Sequence, residues 1–195
     1  VRNVFRMKIL IGITIIAISI SVMIFLHEPL INMFLHEGSS SGNIQETFNY
    51  AKNYLYIMVI GSAPFGISNC YNTTLKESGQ TVVPMKAGVL AVVFDIVLNY
   101  IFIFGKLGFP AMGVVGAAIA TVISRFVECG YLVIYTHIHS NDYPFIKHCY
   151  RTLKVPGSLV KKIIITGAPL MLNEFLWAGG LTLQTQALST KGLAT

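Results

Sequence analysis

Ala87-Gly-Val-Leu-Ala-Val-Val-Phe-Asp95-Ile-Val-Leu-Asn99-Tyr-Ile-Phe-Ile-Phe-Gly105 is nineteen residues with a single charge, placed near its middle. A helix rises about 1.5 Å per residue, so roughly 20 apolar residues cross the ~30 Å hydrocarbon layer of a bilayer. Four further stretches repeat the pattern: Ile9–Leu26 (18 residues), Tyr54–Asn72 (19), Gly113–Thr136 (24) and Ile163–Leu183 (21). A helix on a soluble core shows one apolar stripe, whereas these segments are apolar all round. A mean hydropathy of +0.67, with 11% charged and 54% hydrophobic residues, argues the same way. The reading predicts an all-α polytopic membrane protein with five transmembrane helices, whose first partner is the lipid bilayer.

A net charge of +6 and a pI near 9.3 would suggest a polyanionic partner for a soluble protein. The location of the charges gives a better account. With residues 1–8 inside, the inner segments carry Arg2, Arg6, Lys8, Lys76, Lys86, Lys147, Arg151, Lys154, Lys161 and Lys162, and the outer segments only Lys52 and Lys106. Ten against two is the asymmetry of the positive-inside rule. The outer loop His27–Asn53 instead holds Glu28, Glu37 and Glu46. We therefore expect a multi-pass protein of the cytoplasmic membrane with residues 1–8 and 137–162 in the cytoplasm, and no nucleic-acid partner. Cys70, Cys129 and Cys149 form no framework and are expected as free thiols.

Between the spans the chain is short and polar. Leu30–Leu35 is expected at the membrane interface, and Gly38-Ser-Ser-Ser-Gly42 as a flexible turn. Gly61-Ser-Ala-Pro64-Phe-Gly66 interrupts the second span, and Gly167-Ala-Pro169 the fifth; proline removes a helix hydrogen bond, so kinks are expected. Asn72–Met85 reads as a tight inner loop, and Lys106–Met112 as a very short outer turn that makes the third and fourth spans antiparallel neighbours. The small residues of Gly113-Val-Val-Gly116-Ala-Ala-Ile-Ala120 allow close helix approach. His137–Lys162 is the longest inner segment and reads as a connector. Five spans without terminal domains suggest an excerpt from a longer polypeptide, whose remainder would be a partner.

Ionisable groups inside spans are expensive, so each is a candidate for function. Asp95 lies nine residues beyond Lys86, about 13 Å along the axis and close to the midplane. Asn99 is one turn further on the same face. A carboxylate above a carboxamide suits capture of a proton or a hard monovalent cation through oxygen ligands; a carboxyl that only ties the bundle together is the alternative. Arg125 and Glu128 are three apart in the fourth span, about 18 and 22 Å from its outer end. They read as an ion pair that lowers the cost of inserting both charges, or as a gate. Glu174 with Asn173 and Trp177 forms a third group, where an anion beside an aromatic ring could seat an organic cation; an interfacial tryptophan with a packed carboxyl is the competing reading. His137, His139, His148 and Cys149 are too irregularly spaced for a metal site. No motif for nucleotide hydrolysis or for nucleophilic or metal-assisted catalysis appears, so neither an enzyme nor a cofactor is expected.

At Gly79-Gln-Thr-Val-Val-Pro84, at Asp95-Ile-Val-Leu-Asn-Tyr-Ile-Phe-Ile-Phe-Gly105 and through Gly108-Phe-Pro-Ala-Met-Gly-Val-Val-Gly-Ala-Ala-Ile-Ala-Thr-Val-Ile-Ser-Arg125, the chain resembles the MATE family of multidrug and toxic-compound extrusion transporters. The likeness covers essentially the whole chain. It implies twelve spans in two six-helix lobes, of which this chain is similar to the third to seventh. Residues 1–136 would then be the latter part of the N-terminal lobe, 137–162 the cytoplasmic inter-lobe connector, and 163–195 the first helix of the C-terminal lobe. Family members usually show an asparagine in the fifth span followed four residues on by asparagine or aspartate; those positions are Asp95 and Asn99 here, with the carboxylate at the first. In some sodium-coupled branches a glutamate lies ten residues after the glycine of Gly-x-Pro; that position is Trp177, and Glu174 precedes it by one turn.

The resemblance implies an antiporter that exchanges Na⁺ or H⁺ for cationic amphipathic drugs, with no cofactor beyond the coupling ion, by rocking of the two lobes. Asp95 and Asn99 are the expected ion-coupling residues; Glu174, Asn173 and Trp177 are the substrate-cavity candidates; Arg125 and Glu128 are the structural or gating pair. A flippase for lipid-linked oligosaccharides shares the general architecture but would favour several cavity arginines, where only Arg125 lies within a span. A non-transporting scaffold would need no midplane carboxylate.

Overall fold

The computed structural model describes residues 2–32, 44–140, 142–143, 146 and 156–191. Among these the chain is helical and carries no strand: α1 (Arg2–Phe25), α2 (His27–Asn32), α3 (Ile44–Glu77), α4 (Val82–Phe104), α5 (Gly113–Ile138) and α6 (Gly157–Lys191). Three of the expected spans lie in helices long and apolar enough to cross a membrane, namely α1 from Asn3, α4 and α5. The other two, Tyr54–Asn72 and Ile163–Leu183, lie inside the 34-residue α3 and the 35-residue α6. The protein is an all-α, multi-pass membrane protein.

Helices outrun the apolar stretches: α3 continues to Glu77, with its hydroxyl side chains turned back onto its own carbonyls. Thr73 and Thr74 donate to the Asn69 and Cys70 carbonyls, each at 2.8 Å, and Ser78 donates to that of Thr74 at 2.8 Å. With α3 running on to Glu77, the expected inner loop Asn72–Met85 contracts to Ser78–Thr81, closed by the Gln80 N–H on the Leu75 carbonyl at 2.9 Å. Pro84 then falls in the first turn of α4, where its missing N–H costs nothing. The expected breaks at Pro64 and Pro169 do not end their helices; both prolines lie inside continuous α3 and α6. Of the stretch Leu30–Leu35, residues 30–32 fall in the short helix α2 and 33–35 lie outside the described residues. The Gly38–Gly42 turn, Glu37, Lys147, His148, Cys149, Arg151 and Lys154 lie outside the described residues.

α1, α4, α5 and α3 from Asn53 onward belong to one compact unit; α2, the start of α3 and α6 belong to a second. In the first unit α1 runs antiparallel to α3, and α4 to α5, whereas α3 and α5 run side by side in the same direction. Phe5 near the start of α1 meets Tyr71 near the end of α3 edge-on, with ring centroids 5.2 Å apart. Phe5, Tyr71, Leu75, Val83, Ala87 and Leu132 form the core of a buried cluster, joined by Tyr143 and Ile146. All of these belong to the end of the unit that carries Lys8, Lys76 and Lys86. Large apolar side chains such as Val92, Ile96 and Phe104 stay exposed along α4.

The hairpin of α4 and α5 positions the polar residues. Gly105 ends α4 in the left-handed region (φ 66°), its N–H bonding the Ile101 carbonyl, and the Met112 N–H returns to the Phe102 carbonyl at 2.9 Å. Gly116 then packs directly on the Phe102 backbone: a Cβ there would lie 2.8 Å from the Phe102 oxygen. The small-residue run thus brings the two helices into backbone contact, as its spacing predicts.

Candidate functional site

Asp95 is the fourteenth residue of the 23-residue α4, and its carboxylate is held from two helices. Asn99, one turn on, donates its Nδ2 to Asp95 Oδ2 at 3.0 Å. Ser124 of α5 donates its hydroxyl to Asp95 Oδ1 at 3.3 Å while also bonding the Thr121 carbonyl at 2.8 Å. Ser124 is buried, and Asp95 and Asn99 are half-buried. The Asn99 Oδ1 is shielded from solvent and accepts no hydrogen bond among the described residues. The cluster therefore gathers two carboxylate oxygens, a carboxamide oxygen with unused acceptor capacity and a hydroxyl oxygen. Such an all-oxygen set suits a proton or a hard cation and offers nothing to a soft metal.

Ser124 is absent from the expectations drawn from the sequence. A serine in an apolar run carries no compositional signal. The hairpin register does locate it: Asp95 stands ten residues before Gly105 and Ser124 eleven after Gly113, so an antiparallel pair sets them side by side.

Arg125 and Glu128 pair within α5, Nη1 to Oε2 at 3.4 Å, and the Arg125 guanidinium lies 4.6 Å from the centre of the Phe65 ring on α3. Glu128 is the more enclosed partner, at 12% side-chain exposure against 41% for Arg125. Arg125 also lines a small cavity of about 220 Å³ with Ser19, Met23, Met58, Ser62 and Thr121. Asn173, Glu174 and Trp177 lie in the second unit, all exposed along α6, with Trp177 at 65%. His137 and His139 each turn Nδ1 to a carbonyl of their own helix, at 2.8 and 3.0 Å. Cys70 and Cys129 are free thiols on α3 and α5.

The family model described as MatE matches residues 1–101. A probable multidrug resistance protein NorM of Thermotoga maritima is 34% identical over 167 residues, covering 86% of this chain and 34% of that protein. A probable multidrug resistance protein YoeA of Bacillus subtilis is 30% identical over 139 residues, covering 71% and 29%. A probable multidrug resistance protein NorM of Halalkalibacterium halodurans is 29% identical over 185 residues, covering 92% and 38%. The chain spans about a third of the length of these curated relatives. No solved structure matches it.

Proposed function

The chain belongs to the MatE family, and we propose that it forms part of a cation-coupled antiporter of the cytoplasmic membrane that exports cationic amphipathic compounds. The names of its relatives support multidrug export. The observation that carries the coupling is the trio of Asp95, Asn99 and Ser124, an acid with oxygen partners from two helices inside a span. Na⁺ or H⁺ would load on the Asp95 carboxylate, with Asn99 Oδ1 and the Ser124 hydroxyl as further oxygen ligands. A monovalent cation moving inward contributes about 2.3 kcal/mol per 100 mV of membrane potential. Arg125, paired with Glu128, lies over the Phe65 ring of α3, and Glu174, Asn173 and Trp177 would offer charge and a ring face to an organic cation.

The test is export of an ethidium-like cation by the full-length protein in proteoliposomes, with sodium and proton gradients imposed separately. The parent is expected to move dye against its gradient with one of the two ions. Asp95→Asn should leave the protein in the membrane and abolish uphill movement. Export by Asp95→Asn equal to that of the parent would refute the assignment.

A further inference from the structure

A cleft of about 590 Å³ runs between α1 and α3, and it shares no residue with the Asp95 cluster. Its polar end holds Lys8, Thr73 and Glu77. Lys8 Nζ donates to the Glu77 carboxylate at 2.6 Å and to the Thr73 hydroxyl at 3.4 Å, and the Glu77 side chain stays 59% exposed. Further along, Ile11, Ile15 and Phe65 line the walls and are exposed. The lining on α1 runs from Lys8 to Ser19, eleven residues or about 16 Å of helix rise. That is half the ~30 Å hydrocarbon thickness, the depth of one leaflet. Lys8 immediately precedes the uncharged stretch Ile9–Leu26, so the polar end stands at headgroup depth and the apolar walls at acyl-chain depth.

We propose that this cleft binds one phosphatidylethanolamine molecule, with its phosphate on Lys8, its ammonium on Glu77, and one acyl chain along Ile11, Ile15 and Phe65. Charge complementarity selects the headgroup. Lys8 and Glu77 already neutralise each other; an anionic lipid would take Lys8 and leave Glu77 facing a second negative group. A zwitterion satisfies both. A primary ammonium can also donate hydrogen bonds to the carboxylate, which the trimethylated headgroup of phosphatidylcholine cannot.

The experiment is native mass spectrometry of the full-length protein titrated with phosphatidylethanolamine, phosphatidylcholine or phosphatidylglycerol of identical acyl chains, read as the apparent Kd of the first lipid bound. Phosphatidylethanolamine is expected to bind about tenfold more tightly than phosphatidylcholine, the worth of one charge-assisted hydrogen bond. Glu77→Gln, at an exposed side chain, should erase that preference without loss of helix content by circular dichroism. Lys8→Glu combined with Glu77→Lys should restore it, since the zwitterion can reverse, whereas either single reversal should not. Equal binding of the three lipids, tightest binding of phosphatidylglycerol, no binding of any lipid, or a preference untouched by Glu77→Gln would each overturn the proposal.

Discussion

Replacing Gly116 with alanine is expected to part α4 from α5 and so to cut Ser124 off from Asp95, two turns away. A Cβ at position 116 would lie 2.8 Å from the Phe102 carbonyl oxygen and 2.9 Å from its carbonyl carbon. Both are backbone atoms, so no rotamer change relieves the clash. Ordinary contact begins near 3.4 Å, so the backbones must separate by about 0.6 Å. The Ser124–Asp95 hydrogen bond is 3.3 Å long, and the same displacement carries it to about 3.9 Å, outside bonding range. Overpacking of this kind costs about 1–3 kcal/mol. A hydrogen bond between membrane helices is worth about 0.6 kcal/mol on average and about 1.7 kcal/mol at most. The assay is SDS-driven unfolding of the full-length protein in bicelles, for the parent, Gly116→Ala, Ser124→Ala and the double variant. Ser124→Ala should destabilise the parent by about 0.6–1.7 kcal/mol and the Gly116→Ala background hardly at all. Gly130→Ala is the control, because a Cβ there meets nothing within 4 Å. Costs for the two substitutions that simply add would refute the claim that close packing at Gly116 sets the Ser124–Asp95 distance.

Three other outcomes follow from the same contacts. Arg125→Gln strips the partner from a largely enclosed Glu128 and should destabilise the protein by about 3 kcal/mol, with Glu128→Gln in the same chain recovering most of it; a single variant as stable as the parent would show that the pair contributes nothing. On the proposed role, Asn99→Leu removes one of the oxygen ligands while leaving the Asp95 carboxylate in place, so export by the full-length protein should need a coupling-ion concentration at least about tenfold higher, read from initial rates against ion concentration. The Tyr143 phenol is pushed above its ordinary value of 10.0, first by burial and then by neighbouring Tyr135 and Asp142. The unfolded chain then loses this proton first, so the contribution is intact below pH 10 and disappears as pH rises through the higher folded value. Unfolding of Tyr143→Phe should therefore depend less on pH above 10 than that of the parent.

The spans were readable because hydropathy and length speak directly to the thickness of a bilayer, and the α4–α5 hairpin because Lys106–Met112 is too short to join anything but antiparallel neighbours. Helix ends were not readable in the same way. Hydropathy falls away at Asn72, but the backbone helix runs on to Glu77 with the Thr73 and Thr74 hydroxyls turned back onto its own carbonyls, which no measure of apolarity records. Asp95 and Asn99 stood out as polar groups in an apolar run, while Ser124 did not, because a hydroxyl hides among alanines and valines without a register to point at it. The Lys8–Glu77 pair lay further out of reach: the two residues are 69 positions apart, with no short turn to set α1 against α3.

That register also explains why the Asp95 cluster is held rather than merely assembled. Ala87 and Leu132 share the buried cluster at one end of the hairpin, and Phe102 and Gly116 touch through the backbone at the other. Asp95 and Ser124 stand between these two fixed points, eight residues from Ala87 and from Leu132, and seven and eight from Phe102 and Gly116 respectively, about 11–12 Å each way by helix rise. A hydrogen bond of 3.3 Å pinned on both sides cannot lengthen unless the packing above or below it yields. The oxygens are therefore preorganised by packing that does not touch them, at Gly116 as at Leu132. On the proposed ion-coupling role, a larger side chain at Ala87, fully enclosed in the cluster, should then weaken coupling as Ser124→Ala should, although it lies two turns away; unchanged dependence of export on ion concentration would refute this.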